Sequence, residues 1–81
     1  MSLFTLGARL AADARRLAAT VKISRGEAMR EIRRLACHSL HLTTAQLVVR
    51  ERESPGRFDL SAYGIVFDRR LRGEPLPYVL G

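Results

Sequence analysis

Two short strings divide this chain before any other feature is considered. Ser24-Arg25-Gly26-Glu27 and Thr43-Thr44-Ala45-Gln46 both fit the capping box. In that motif a Ser or Thr oxygen takes the amide three residues on, and the Glu or Gln there reaches back to the cap amide. Ser54-Pro55-Gly56 and Gly73 followed by Pro75 are stops, because proline cannot continue a helix and glycine suits the residue just past one. Every segment between these signals holds only a few helical turns. The fold class that follows is all-α, a small bundle of four to five helices with connections short enough for antiparallel neighbours.

Apolar spacing fills in the segments. Leu3, Leu6, Leu10, Ala14, Leu17 and Val21 recur at threes and fours and predict a first helix from about Leu3 to Thr20, with Arg9, Asp13, Arg15, Arg16 and Lys22 mostly off the stripe. Ala28, Ile32, Leu35 and Ser39 line one face of the second helix. Its arginines fill the rest, and Glu27 with Arg30 or Glu31 with Arg34, at spacing three, should partly neutralise them. A short third helix runs from Thr44 to about Glu53. The last starts after Phe58, capped by Asp59 or Ser61, and places Leu60, Tyr63, Phe67 and Leu71 on one face to Leu71 or Arg72. Gly64, costly in mid-helix by about 1 kcal/mol against alanine, suggests close approach of a neighbouring helix.

The chemistry of most enzymes is missing. There is no glycine-rich loop after a strand, no paired carboxylates on one face, and no zinc or redox motif. Cys37 and His38 are adjacent and so diverge on a helix, and His38 with His41 lacks a third ligand, so no metal site is expected. No run approaches the roughly 20 apolar residues of a membrane span. The first 25 residues are Arg-rich and amphipathic, but Asp13 within them argues for a structural helix over a targeting segment, hence a cytoplasmic protein. The formal net charge is +6, and residues 1–40 carry eight Arg and Lys against three acids. Arg30, Arg33 and Arg34 on one helix and Arg69, Arg70 and Arg72 on another are the candidate binding surfaces. Arg69 and Arg70 have a second possible task, since a fork of donors could hold the Glu74 carboxylate or the carbonyls of the turn.

The segment Arg69-Arg70-Leu71-Arg72-Gly73-Glu74-Pro75-Leu76-Pro77-Tyr78-Val79-Leu80-Gly81 is the sharpest feature. It makes a stop and a turn, after which Pro77 should hold the chain extended and Tyr78, Val79 and Leu80 read as a strand beginning. A strand with no partner implies a chain cut from a longer one. The segment resembles the R-R-x-x-G-E-P-x-x-Y-h-x-G signature (h apolar) that closes the helical domain of the release-factor glutamine methyltransferases, the HemK or PrmC family. Arg69, Arg70, Gly73, Glu74, Pro75, Tyr78, Val79 and Gly81 carry the match, and Glu27, Ala28, Ile32, Leu35, Leu40 and Leu47 correspond upstream.

That resemblance implies two regions: residues 1–73 as a helical substrate-recognition domain, and residues 74–81 as the start of a linker or hairpin towards a methyltransferase domain beyond this chain. It implies a full-length enzyme that uses S-adenosylmethionine to methylate the glutamine amide of the Gly-Gly-Gln motif in class 1 peptide release factors. The partners would be the release factor and the protein's own C-terminal domain, without membrane, metal or nucleic acid. No catalytic or cofactor-binding residue is assigned within these 81 residues, and the domain alone should be inactive. Arg30, Arg33 and Arg34 are the candidate contacts to the partner. The alternative reading is a free-standing basic helical module that binds nucleic acid or the ribosome, which would show steep salt dependence.

Overall fold

The computed structural model describes residues 4–81. Among them are five α-helices: α1 (Leu6–Val21), α2 (Arg25–Leu40), α3 (Thr44–Arg50), α4 (Ser61–Leu71) and α5 (Leu76–Leu80), with a single 3₁₀ turn at Pro55–Arg57. The expected start of the first helix at Leu3 lies outside the described residues. The observed N-cap is Thr5, whose hydroxyl accepts the Ala8 amide at 3.1 Å.

Both capping strings start helices. At Thr43 the box is complete: its hydroxyl accepts the Gln46 amide at 3.1 Å, and the Gln46 side chain accepts the Thr43 amide at 2.8 Å. At Ser24 the hydroxyl accepts the Glu27 amide at 3.1 Å. The N-cap of α4 is Leu60, without a side-chain cap, and not the expected Asp59 or Ser61; Asp59, one residue further back, accepts the Ser61 amide at 3.0 Å. The Ser61 hydroxyl, and then its amide, depress the Asp59 pKa.

The two connections between α1, α2 and α3 repeat one device. Lys22 (φ 61°) and His41 (φ 57°) adopt the left-handed conformation. The next amide turns back into the helix just ended, Ile23 to the Ala18 carbonyl at 3.3 Å and Leu42 to the Cys37 carbonyl at 3.0 Å. The residue after that is the next N-cap. This is Schellman closure with a side chain in the position glycine usually fills. Ile23 and Leu42 each pack against the core, so one aliphatic residue closes one helix and braces the next.

α2 packs against all four other helices and is the spine of the bundle. Its Ala28, Ile32, Leu35 and Ala36 join Leu6, Leu10, Ala14 and Leu17 of α1, Leu47 of α3, Tyr63 and Phe67 of α4, and Val79 of α5 in one buried cluster. The Tyr63 and Phe67 rings stack with centroids 5.9 Å apart.

Three further expectations need correction. α3 stops at Arg50 rather than Glu53, because the carbonyls of Glu51 and Glu53 are turned to α1. They accept the Gly7 amide at 2.9 Å and the Leu6 amide at 2.8 Å, satisfying donors that a helix start leaves without partners. That seam explains Gly7: a Cβ there would stand 3.3 Å from both the Cβ and the carbonyl oxygen of Glu51. Gly64, by contrast, has nothing within 4 Å of where its Cβ would be, so it is not a helix-approach glycine.

The third correction concerns the tail, which is helical and not an extended strand. Pro75 is the N-cap of α5 and Pro77 lies in its first turn, where a proline loses no intrahelical hydrogen bond and its fixed φ suits the helix. The Tyr78 and Val79 amides bond to the Pro75 carbonyl at 3.0 and 3.2 Å, and Val79 is 3% exposed. The radius of gyration is 12.0 Å, matching the ~12 Å expected for a packed chain of this length.

Candidate functional site

The tail signature is a set of ion pairs built around one turn. α4 ends with Gly73 at φ 96°. The Gly73 amide bonds to the Arg70 carbonyl at 3.0 Å, and the Glu74 amide to the Arg69 carbonyl at 3.3 Å. Glycine suits this position because its φ of 96° lies well past the 57° and 61° at which His41 and Lys22 sit. The turn brings Glu74 back beside Arg69, whose guanidinium donates to both carboxylate oxygens at 2.8 and 3.1 Å and reaches the Tyr78 carbonyl at 3.5 Å. This pairing holds the Glu74 carboxyl below the ordinary glutamate value and raises Arg69.

Arg70 points the other way. It donates to Glu31 of α2 through Nε at 2.6 Å and Nη2 at 3.4 Å, and to the Glu74 carbonyl at 3.4 Å. Both side chains of the Arg70–Glu31 pair are only 13% exposed. The two adjacent arginines thus divide the work, Arg69 folding the turn and Arg70 fixing it to the spine helix. Pro75 then directs α5 so that Val79 is buried while Tyr78 is left 73% exposed; Gly81 closes α5 at φ 92°.

The arginines of α2 line an open groove of ≈ 540 Å³ between α2, the start of α3 and the end of α5. Arg30, Arg33, Arg34 and His38 form its basic side. Cys37, Thr44 and Leu80 complete the lining. Arg33 lies 3.4 Å from Glu51, whose Oε1 receives no hydrogen bond of good geometry. Arg30 and Arg34 have no carboxylate partner among the described residues. Neither intrahelical pair expected at spacing three forms, and Glu31 is held by Arg70 in place of Arg34. Cys37 is half-buried, and desolvation raises its thiol pKa against the opposing effect of the Thr44 hydroxyl. That disfavours the thiolate a nucleophile or metal ligand needs. His38 and His41 are exposed, and no cluster of metal-ligating residues occurs among the described residues.

A second polar cluster escaped the sequence reading. Asp13, expected off the apolar stripe, is 9% exposed. Its carboxylate accepts from the Tyr63 hydroxyl at 2.8 Å and from Arg9 Nε at 3.0 Å, while the Arg9 guanidinium stands 5.8 Å from the centroid of the Tyr63 ring. Burial, then the Asp13 hydrogen bond, pushes the Tyr63 phenol well above its ordinary value. The signal was available: Leu6, Leu10, Asp13 and Leu17 also follow the four-three-four spacing of a buried stripe. The cluster binds α1 to α4.

Comparison with known proteins adds one match. A family model described as the PrmC N-terminal domain matches residues 10–81. No curated protein and no solved structure matches the chain.

Proposed function

From the premise that the chain belongs to the PrmC N-terminal domain family, we propose that it is the substrate-recognition domain of an S-adenosylmethionine-dependent methyltransferase. Its substrate is the Gly-Gly-Gln glutamine of a class 1 peptide release factor. The observation that carries the reading is the extent of the family match, which takes in the spine helix and the tail signature together.

The chemistry gives such a domain a purpose. A glutamine side-chain amide is a weak nucleophile, so methyl transfer depends on holding its nitrogen in line with the donor. Contacts far from the reacting atom supply that orientation when two rigid bodies hold the substrate. The basic groove on α2 suits the recognition half of this task, because charges placed against complementary charges steer a partner into one register. Methyl transfer itself belongs to the other domain.

The test uses the protein that carries this domain ahead of a methyltransferase module. Incubated with S-adenosylmethionine and a purified release factor, it should add one methyl group to the Gly-Gly-Gln glutamine, located by mass spectrometry of the peptide. Removing the helical domain should lower kcat/KM for the release factor. A glutamine left unmodified by the intact protein would overturn the assignment.

A further inference from the structure

We infer that the α2–α5 groove receives an acidic peptide segment with an aliphatic anchor, and that Arg70 keeps the groove open to acids by holding Glu31 away from it. This deepens, and rests on, the reading of the domain as one that binds a protein substrate.

Six of the eight acids in the chain are engaged in ion pairs: Asp13, Glu31, Glu51, Glu53, Asp68 and Glu74. None of the residues lining the groove is acidic. Of its three arginines only Arg33 is balanced, by Glu51. Glu31 stands three residues before Arg34, close enough on a helix to neutralise it, but Arg70 takes both of its oxygens from across the bundle.

What remains is two exposed guanidiniums one helical turn apart, about 5–6 Å between Cβ atoms, beside the apolar surface of Leu80 and Cys37. The matching ligand has two carboxylates one turn apart and a leucine-like side chain on the same face. Nucleic acid fits less well, since no aromatic side chain lines the groove to stack a base.

The experiment uses the 81-residue chain and a fluorescein-labelled alanine-based peptide containing Glu-Ala-Ala-Leu-Glu, followed by fluorescence anisotropy. Binding should fall with added salt and be lost when glutamine replaces both glutamates. R30Q/R34Q should weaken it about tenfold, the size of two exposed ion pairs. R70Q, which touches nothing in the groove, should also weaken it several-fold by freeing Glu31, and R70Q/E31Q should restore it. R34Q against R16Q tests the groove should R70Q fail to fold; equal effects of the two overturn the proposal. So does loss of binding in R70Q that E31Q does not rescue, or tighter binding of a uridine oligonucleotide of equal charge.

A purified class 1 release factor is titrated in parallel. Binding that weakens in R30Q/R34Q supports the groove as its docking site. Binding indifferent to those substitutions overturns the groove and leaves the domain's function standing. A peptide that binds where the release factor does not supports the groove and removes the functional reading.

Discussion

Two arginine–carboxylate clusters hold this bundle, and they differ in how they are made. Arg69, Arg70, Glu74 and Glu31 fix the tail; Arg9, Asp13 and Tyr63 fix α1 to α4. In the tail cluster one pair is local in sequence, Arg69 with Glu74, and its geometry is dictated by the glycine turn between them. In the other cluster the bond that matters joins residues fifty apart, Tyr63 to Asp13. The first cluster joins a half-exposed pair, Arg69–Glu74, to a nearly buried one, Arg70–Glu31, and sets where charge is available. In the second, Asp13 and Tyr63 are buried, with Arg9 partly exposed, and their bond sets how two helices meet. Burial, more than the residues used, sets what the loss of a partner costs in either cluster.

The largest effect should come from the buried cluster. Asp13→Ala leaves the Tyr63 hydroxyl buried without its acceptor, and should cost about 3 kcal/mol in urea unfolding, with Tyr63→Phe costing about 1–2 kcal/mol. For a domain whose total stability is of order 4–12 kcal/mol, this approaches the margin of folding. A loss below about 1 kcal/mol for Asp13→Ala would erase the distinction between the clusters.

Next in size is Arg70→Gln. It breaks a nearly buried pair and releases Glu31 towards Arg34, and should cost about 2 kcal/mol. Arg69→Gln, at an exposed pair, should cost less than Arg70→Gln. Equal losses would mean the turn, and not the link to α2, carries the tail.

Gly64→Ala is a control on the helix that bears both Tyr63 and Arg70. With open space around the new methyl group, it should stabilise by about 0.5–1 kcal/mol. A loss would show a close neighbour at that position.

The smallest effects separate the clusters by pH. Glu74 has a lowered pKa, so its contribution is present above 4.5 and is lost as pH falls below that value through the folded one. Tyr63 has a raised pKa, so its contribution is present below pH 10.0 and is lost as pH rises beyond it. Acid should therefore loosen the tail, seen as a change at the Val79 methyl groups by NMR. Alkali should act on the α1–α4 contact instead.

The same contrast explains what could be read from the sequence. Caps, stops and the tail turn depend on residues three to five apart, and Ser24, Thr43, Gly73 and the Arg69–Glu74 pair were legible for that reason. Asp13 was read off the stripe although its spacing also fits it, because helical spacing marks a face without saying what waits opposite. The balance of Arg33 by Glu51 was hidden, because it depends on where α3 ends. The tail was misread because proline supports both an extended chain and a helix start. The burial of Val79 against α2 and α4 selects between them, and that is a tertiary fact.

The two connectors centred on Ile23 and Leu42 carry a further consequence. Each has no slack, since its one aliphatic residue serves the helix behind and the helix ahead. One inserted residue would break the closing bond to the Ala18 or Cys37 carbonyl, or pull the aliphatic residue away from the core. Length variation among relatives should therefore be excluded from both corners and gather in the looser passage between Ser54 and Leu60.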